Sequence, residues 1–204
     1  MGLDAEELAA LSQEEKDARF RISCGAYVEG AENCYKGEKV KHDLRAAKKL
    51  RAAGADVDSK DAEGWSALHW AAAEGRSRVI TYLLESGAFV DAVDPSNCSP
   101  LWAASYNGEY QAALLLLAGG ADLTIKGQPK GDAIPTTPGL AARSQSKASI
   151  ADLIDAEKEL REKDPRRVAR LKAGEMALDD FKKSLKAKPA SEARILPISM
   201  NPYR

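Results

Sequence analysis

Apolar residues recur at spacings of three and four along most of the chain, a pattern that predicts amphipathic helices rather than strands. Two apolar runs, Val79–Leu84 and Ala112–Leu117, are each followed three residues later by a Gly-Ala pair. A glycine in that place can take the left-handed conformation that ends a helix. Polar, turn-forming residues such as 91–97 separate one helical stretch from the next. The pattern therefore predicts an all-α chain of short helices joined by tight turns.

The helices belong to a repeat with a period of 33 residues. The segment Gly-Ala-Asp-Val-Asp at 54–58 recurs as Gly-Ala-Phe-Val-Asp at 87–91, and begins again as Gly-Ala-Asp-Leu at 120–123. Gly75 and Gly108 occupy equivalent places between two apolar stretches, where a glycine lets the chain reverse. A fixed period of this length predicts a stack of similar units in which each unit packs on its neighbours.

The repeat resembles that of the ankyrin family. Residues 64–75, Gly-Trp-Ser-Ala-Leu-His-Trp-Ala-Ala-Ala-Glu-Gly, are similar to the ankyrin consensus G-x-T-P-L-H-x-A-A-x-x-G, and residues 79–88 to its V-V-x-x-L-L-x-x-G-A. A second copy over residues 99–122 matches as well. The resemblance implies an ankyrin-repeat solenoid that binds other proteins.

The flanking segments match the repeat less well. Residues 38–53 have apolar positions at helical spacing and lead into Gly54, as the second helix of a capping repeat would. Residues 137–154 align with the second repeat only after an insertion of five residues, which 127–131 supply, and they have Ser146 where a glycine is expected. Because terminal copies commonly diverge, we expect an atypical last repeat here.

The N-terminal segment is predicted to be helical. Ser12-Gln13-Glu14-Glu15 has the form of a capping box, and an apolar stripe then continues to Cys34. We expect two helices, at about 13–35 and 38–53, that form a hairpin against the first full repeat. They would shield the end of the solenoid or, as the alternative, provide a separate binding helix.

The C-terminal segment contains a further predicted helix. Asp164-Pro165 is a helix start, so a helix at about 149–163 ends there. Gly174 interrupts the new helix. Its apolar side comprises Val168, Leu171, Leu178, Phe181 and Leu185. This helix could fold back on the last repeat, dock into a groove of a partner, or lie on an anionic membrane.

A tail with three prolines follows. Pro189, Pro197 and Pro202 are incompatible with a regular helix, so residues 189–204 are predicted to be extended. The tail also contains the apolar residues Ile195, Leu196, Ile198, Met200 and Tyr203. It is either a disordered end or a linear motif that lies along a groove of a partner.

These boundaries divide the chain into four predicted parts. They are an N-terminal helical cap (1–38), an ankyrin-repeat domain (39–156), C-terminal helices (157–188) and an extended tail (189–204).

The charge is distributed unevenly along the chain. Residues 1–126 hold 20 acids and 14 bases, whereas 127–204 hold 11 acids and 16 bases. A basic end on an acidic body indicates an acidic partner or contact with the protein's own body. We do not expect the basic end to bind nucleic acid, since it lacks interleaved aromatic residues and a recognition-helix motif.

The resemblance implies that the turn tips and first helices of the repeats line a concave surface that binds protein. Trp65 and Tyr106 would be its hot spots; the alternative is that Trp65 packs on the neighbouring turn and Tyr106 on Trp70. The predicted concave-face residues are Ala62, Glu63, Trp65, Ala73, Glu74, Pro95, Ser96, Cys98, Tyr106 and Asn107. The predicted residues of a C-terminal binding arm are Leu171, Leu178, Phe181, Leu185, Ile195, Leu196, Ile198 and Tyr203.

The sequence offers little chemistry. His69 takes the consensus histidine place, which the resemblance assigns to holding the turn by hydrogen bonds, and His42 is expected to be solvated. No phosphate loop, dinucleotide fingerprint or metal-ligand spacing is present, so we expect no catalysis, cofactor or metal. The three cysteines are an odd number without metal-type spacing, and we expect free thiols in a reducing compartment, with Cys24 and Cys34 half-buried.

Composition also bears on localisation. No apolar run is long enough to span a membrane, and the first residues lack a secretory signal, a mitochondrial presequence or a myristoylation signal. We therefore expect a protein of the cytoplasm or of another reducing intracellular compartment, which is monomeric in isolation and part of a hetero-complex. The predicted function is that of a non-catalytic adaptor or structural accessory subunit, for example in a cytoskeletal assembly such as an axoneme. The alternative is a reversible regulator or inhibitor of an enzyme or a transcription factor.

Overall fold

Eleven helices lie within residues 5–26, 43–128 and 134–186, the parts of the chain that the computed structural model describes. These parts contain no strand, only two isolated antiparallel bridges. The helices are α1 (Ala5–Ala10), α2 (Gln13–Ser23), α3 (Leu44–Ala52), α4 (Ala67–Ala73), α5 (Ser77–Glu85), α6 (Pro100–Asn107), α7 (Tyr110–Ala118), α8 (Pro138–Ser144), α9 (Ala148–Lys163), α10 (Arg167–Lys172) and α11 (Leu178–Lys186). The prediction of an all-α chain is confirmed.

The helices stack in two layers. Helices α4, α6 and α8 pack side by side, and so do α5, α7 and α9, while each helix of the first layer also packs on the next helix along the chain. The core lies between the layers, where Leu68, Leu83, Leu101 and Leu116 are fully buried. Each pair buries its apolar stripe on its neighbours, so the stack is the solenoid that the period predicts.

The helix ends follow the sequence signals. Ser99 Oγ accepts a hydrogen bond from Trp102 N at 3.2 Å, with Pro100 as the first residue of α6. A hydroxyl at the cap satisfies one of the N–H groups that have no partner inside the helix, and the proline ring presets the first turn. Gly87 and Gly108 have φ of 86° and 88°, the left-handed conformation expected where a helix ends.

The first predicted N-terminal helix is too long. Helix α2 begins after Ser12, as the capping box indicates, but it ends at Ser23 and not near residue 35. Gly25 has φ of 97°, and Ala26 N donates to Arg21 O at 2.8 Å, so the chain leaves the helix in a left-handed glycine turn. The rest of the predicted stripe, including Cys34, lies outside the described residues.

The second predicted N-terminal helix begins later than expected. Helix α3 starts at Leu44 rather than near residue 38. Asp43 precedes it, and its Oδ1 accepts hydrogen bonds from Arg45 N at 2.9 Å and Ala46 N at 3.1 Å. A carboxylate at this position caps the free N–H groups at the start of the helix and interacts favourably with the positive end of the helix dipole.

Helix α2 covers the first helices of the stack at one end. It packs on α3 and α4, and Phe20 is fully buried. Gln13 Nε2 donates to Gly54 O at 3.0 Å, and Asp17 Oδ1 accepts from Asp56 N at 2.7 Å. These contacts tie α2 to the turn that precedes the first full repeat, the position that a cap would occupy.

The insertion before α8 is closed at its base. Gly127 N donates to Thr136 O at 3.0 Å, and Thr136 N donates to Gly127 O at 2.9 Å. This pair lets the chain leave and return without disturbing the stack, so α8 packs on α6 as α6 packs on α4. The predicted last repeat thus corresponds to a helix pair, α8 and α9.

The C-terminal segment forms two helices where one interrupted helix was predicted. Helix α9 ends at Lys163, before Asp164, as expected. Helix α10 then ends at Lys172, because Gly174 has φ of 69° and Glu175 N donates to Arg170 O at 2.9 Å. Helix α11 follows and packs on α7 and α9. Of the three predicted uses, these helices show the first, since they fold back on the repeats.

Candidate protein-binding surface

Asp61 organises the turn tip of the first full repeat. Its Oδ1 accepts a hydrogen bond from Trp65 N at 2.7 Å, and its Oδ2 accepts from Trp70 Nε1 at 2.6 Å. The Asp61 backbone N in turn donates to Trp65 O at 2.9 Å. One carboxylate therefore fixes both the turn and a tryptophan on helix α4, and the tip is held in one conformation before any partner arrives.

Asp94 has the equivalent place in the second repeat. Its Oδ1 accepts from Ser96 N and Cys98 N, each at 2.8 Å, and its Oδ2 accepts from Trp65 Nε1 at 3.1 Å. Trp65 therefore joins its own turn tip to the next one. Lys60 adds a second link, since its Nζ donates to Val93 O at 2.7 Å.

His69 lies below these tips and is fully buried. Its Nδ1 accepts from Ser66 N at 3.2 Å, which leaves Nε2 protonated to donate to Cys98 O at 3.1 Å. Burial lowers the pKa of His69 below 6.5, although the hydrogen bond to Cys98 and the nearby Asp94 carboxylate act in the opposite direction. The predicted structural role of this histidine is confirmed.

Four aromatic side chains lie on or just before the first helices α4 and α6 of the repeats. The rings of Trp65 and Trp70 are 4.8 Å apart, and Trp102 stacks on Tyr106 with a centroid distance of 5.0 Å. Trp65 packs on the neighbouring turn, as the structural alternative predicted. Tyr106 stacks on Trp102, one turn earlier on its own helix, while its predicted packing on Trp70 stays a prediction. Tyr106 remains 37% exposed.

The predicted concave-face residues differ in exposure. Ala62, Glu63, Pro95, Tyr106 and Asn107 are exposed, whereas Trp65, Ala73, Glu74 and Ser96 are half-buried.

Cys98 was predicted to be on this face and is not. Its side chain is only 3% exposed and packs with Trp102 and Ala141. The backbone of Gly127 covers it so closely that a Cβ there would come within 2.7 Å of Sγ. The base of the insertion therefore closes over the cysteine and removes it from the surface.

Two other predicted residues are engaged within the protein. Glu74 forms an ion pair with Arg76, whose Nη1 also donates to Cys24 O at 3.2 Å. Asn107 Nδ2 donates to Ala73 O at 3.0 Å and so connects adjacent repeats. Their first task is to hold the stack together, which leaves the exposed tips and Tyr106 as the surface open to a partner.

The predicted C-terminal binding arm is partly committed to the core. Leu171 and Phe181 are 4% and 0% exposed, so they cannot serve a partner while the arm is folded back. Leu178 and Leu185 are half-buried. The remaining predicted arm residues, Ile195, Leu196, Ile198 and Tyr203, lie outside the described residues.

A buried carboxylate that the sequence analysis did not single out fastens the arm. Glu157 is fully buried and pairs with Arg167, at 2.8 Å from Nη2 to Oε2, and with Arg161, at 2.9 Å from Nε to Oε1. Arg167 Nη2 also donates to Ser184 Oγ at 2.9 Å, and its guanidinium lies 5.2 Å from the centre of the Phe181 ring. The cluster therefore joins α9, α10 and α11.

A sequence signal for this burial was present. Helix α9 has apolar residues at helical spacing, Ile150, Leu153 and Ile154. Glu157 continues this spacing, so its carboxylate lies on the apolar face of the helix. A charged residue in such a place is buried only with partners, and the arginines of the predicted arm could supply them.

One base of the arm pairs with the acidic body of the protein. Lys172 Nζ lies 2.9 Å from Asp91 Oδ2 in the second repeat. Arg170 and Arg167 pair instead with Asp164 and Glu157, which belong to the basic segment itself. Of the two predicted interpretations of the basic end, contact with the protein's own body therefore holds for Lys172.

The described residues offer little for catalysis. They contain no group of three His, Cys, Asp or Glu side chains that could hold a metal ion. Burial raises the pKa of Cys24 to about 12, so its thiol is protonated at neutral pH and is a poor nucleophile. Cys24 is also fully buried rather than half-buried as predicted. Among the described helices, none has the length and apolarity needed to cross a bilayer.

Comparison with known proteins agrees with the geometry. A family model described as ankyrin repeats in three copies matches residues 38–127. A palmitoyltransferase of Drosophila melanogaster is 44% identical over 84 residues, which are 41% of this chain and 13% of that protein. A calmodulin-binding transcription activator of Arabidopsis thaliana is 50% identical over 52 residues, 25% of this chain and 5% of that protein.

A palmitoyltransferase of Mus musculus is similar over a longer stretch, with 33% identity over 100 residues, 48% of this chain and 16% of that protein. The chain thus spans less than a fifth of the length of each of these relatives. What they share with it is a segment of about one and a half to three repeat lengths. Residues 38–127 of this chain are therefore ankyrin repeats, and the pair α8 and α9 continues the same stack beyond them.

Proposed function

We propose that this protein is a non-catalytic adaptor that binds a partner protein through the turn tips and first helices of its repeats. The observation that carries the proposal is the combination of rigid tips and an exposed aromatic side chain. Asp61 and Asp94 fix the tips by hydrogen bonds, so little ordering is needed on binding. Tyr106 remains 37% exposed on helix α6, which begins at the second tip, and tyrosine is a residue type that often dominates binding energy.

The relatives support the absence of catalysis in this segment. Two of the relatives are named for unrelated activities, one as a palmitoyltransferase and one as a transcription activator. Both are similar to this chain over a short stretch. A segment shared by such different proteins is more readily explained by a common binding role than by either activity. We therefore infer that the chain acts as a subunit or adaptor in a hetero-complex. Its setting in a cytoskeletal assembly, in the cytoplasm, remains the sequence-based prediction.

Two tyrosines of similar exposure allow a controlled test. Tyr106 lies on the proposed face, whereas Tyr110, 40% exposed, begins the second helix of the same repeat. Wild type, Tyr106→Ala and Tyr110→Ala would be used to capture proteins from native extract, with thermal unfolding measured for each. We expect partners that wild type and Tyr110→Ala retain to be lost with Tyr106→Ala at similar stability. Identical partners for all three proteins would contradict the proposed face.

A further inference from the structure

A groove lies on the outer side of the stack, away from the proposed binding face. It lies between α7 and α9, where α11 crosses them, and has a volume of about 520 Å³. Tyr110 and Leu114 of α7 form one wall, Leu153 and Ala156 of α9 the other, and Leu185 of α11 closes one end. Tyr110 is 40% exposed at its rim, and polar residues line the groove beside the apolar ones: Gln111, Ser149, Asp152 and Lys182.

The chain itself leads into this groove. Leu185 lies one residue before the end of α11 at Lys186, so the 18 residues 187–204 start at the groove's rim. They include Ile195, Leu196 and Ile198 within four positions. We propose that this segment, residues 195–198 of the same chain, occupies the groove between α7 and α9.

The length of the segment fits. The wall on α9 runs from Ser149 to Ala156, which is about 10 Å at 1.5 Å per residue. Four residues in an extended conformation cover about 10–13 Å. The eight residues 187–194 that connect the segment to α11 can span about 26 Å, so the connection does not limit the path.

The chemistry of the segment fits as well. Both walls are helices, whose backbone hydrogen bonds are satisfied internally, so the groove offers side chains and not a sheet edge. An occupant must therefore bring apolar side chains and give up few backbone hydrogen bonds of its own. Pro197, in the middle of the segment, has no N–H to leave unpaired, and Pro189 and Pro202 flank it.

Charge is compatible with this occupant. Residues 187–204 hold three bases, Lys188, Arg194 and Arg204, and one acid, Glu192. Asp152 and Lys182 both line the groove, so the bases and the acid that flank the apolar residues each have a groove residue of opposite charge to face. Attachment at Lys186 makes the docking intramolecular, and it therefore needs no particular concentration of protein.

A second groove provides an internal comparison. It lies at the other end of α11, has a volume of about 690 Å³, and is lined by Phe89, Leu115, Met176 and Leu178. Phe89 is 58% exposed there. To reach it the chain would have to reverse along α11, which is about 12 Å long. Continuity therefore favours the groove at Tyr110.

The test is photo-cross-linking in the full chain. Benzoylphenylalanine would replace Tyr110 in the proposed groove, Phe89 in the second groove, or Tyr106 on the first-helix face, each an exposed aromatic residue. Trypsin releases residues 195–204 as one peptide after Arg194, so the acceptor is identified by mass. We expect a monomeric product in which position 110 is joined to this peptide, and no such product from position 106.

A pair of full-chain variants makes the result specific. Leu196→Asp should abolish the cross-link from position 110, whereas Ser199→Asp, at a polar neighbour, should leave it. Three outcomes would overturn the proposal: no cross-link from position 110 to residues 195–204, the same product from position 89 only, or a cross-linked dimer whose yield rises with protein concentration. Each of these outcomes leaves the proposed binding face untouched. Tyr106 belongs to the first helix α6, whereas the groove lies between the second helices α7 and α9.

Discussion

Trp102 donates its indole N–H to the carbonyl oxygen of Thr136 at 3.0 Å. One repeat earlier, His69 Nε2 makes the equivalent contact with Cys98 O at 3.1 Å. Thr136 and Cys98 each directly precede the residue that caps the next first helix. An indole therefore takes over the link between repeats that the consensus histidine provides, and it does so across the insertion.

The first prediction concerns this link. Trp102→Phe removes the donor and leaves Thr136 O with one partner fewer, so we expect the free energy of unfolding to fall by about 1–3 kcal/mol. Trp102→His restores a ring N–H and should lose less, although its side chain is smaller. Urea unfolding followed by circular dichroism measures both. If the histidine variant were the less stable of the two, lost volume and not the hydrogen bond would explain the effect.

The second prediction concerns pH. Burial holds the pKa of His69 in the folded protein below 6.5, so the unfolded chain binds a proton that the folded one excludes. The stabilisation from neutral His69 is complete above pH 6.5 and is lost as pH falls through the folded-state pKa. We therefore expect the free energy of unfolding to decrease between pH 7.5 and 5.5.

The control for this prediction is His69→Gln, which keeps a donor and an acceptor without the titration. Its stability is lower overall, but it should vary less over the same pH interval. The comparison removes contributions that the two proteins share, such as that of His42. Equal pH slopes for the two proteins would show that His69 does not carry the dependence.

The repeat core was predictable because its signals are local. A 33-residue period, the glycine at Gly87 and the cap at Ser99 each report on a few neighbouring residues, and the structure has them as expected. The end of α2 was missed for a related reason. The apolar spacing continued past Gly25, and periodicity alone does not reveal that a glycine takes a left-handed turn.

The candidate surface depended on contacts distant in sequence. Cys98 occupies a turn position that the resemblance places on the surface, but the five-residue insertion brings Gly127 over it. The helical spacing places Glu157 on the apolar face of α9, but only the fold-back of Arg167 shows which residue pairs with it. Such pairings join segments whose meeting no local pattern specifies.

The third prediction concerns the buried ion pair. Arg167→Ala leaves Glu157 with Arg161 as its remaining partner, and breaking a buried ion pair in this way costs about 3–5 kcal/mol. Arg170→Ala is the matched control, since Arg170 is 47% exposed and its pair with Asp164 is worth at most about 1 kcal/mol. Urea unfolding gives the difference, and limited trypsin digestion shows whether α10 and α11 become accessible. Similar stability of the two variants would contradict a role for the pair in fastening the arm.

The last prediction follows from the outer face of α7. One period earlier, α5 has Thr81, Tyr82 and Glu85, where α7 has Leu114, Leu115 and Ala118. Leu114 is 4% exposed because α11 packs over α7, whereas Thr81 is exposed. Leu114→Thr should therefore cost about 1–3 kcal/mol and speed hydrogen exchange in α11, since it places a hydroxyl in an apolar contact. The reciprocal change, Thr81→Leu, should shift stability by no more than about 0.5 kcal/mol, because the side chain of Thr81 is exposed. Equal effects of the two changes would mean that α11 does not depend on the leucines of α7, and that the arm is held by the Glu157 cluster alone.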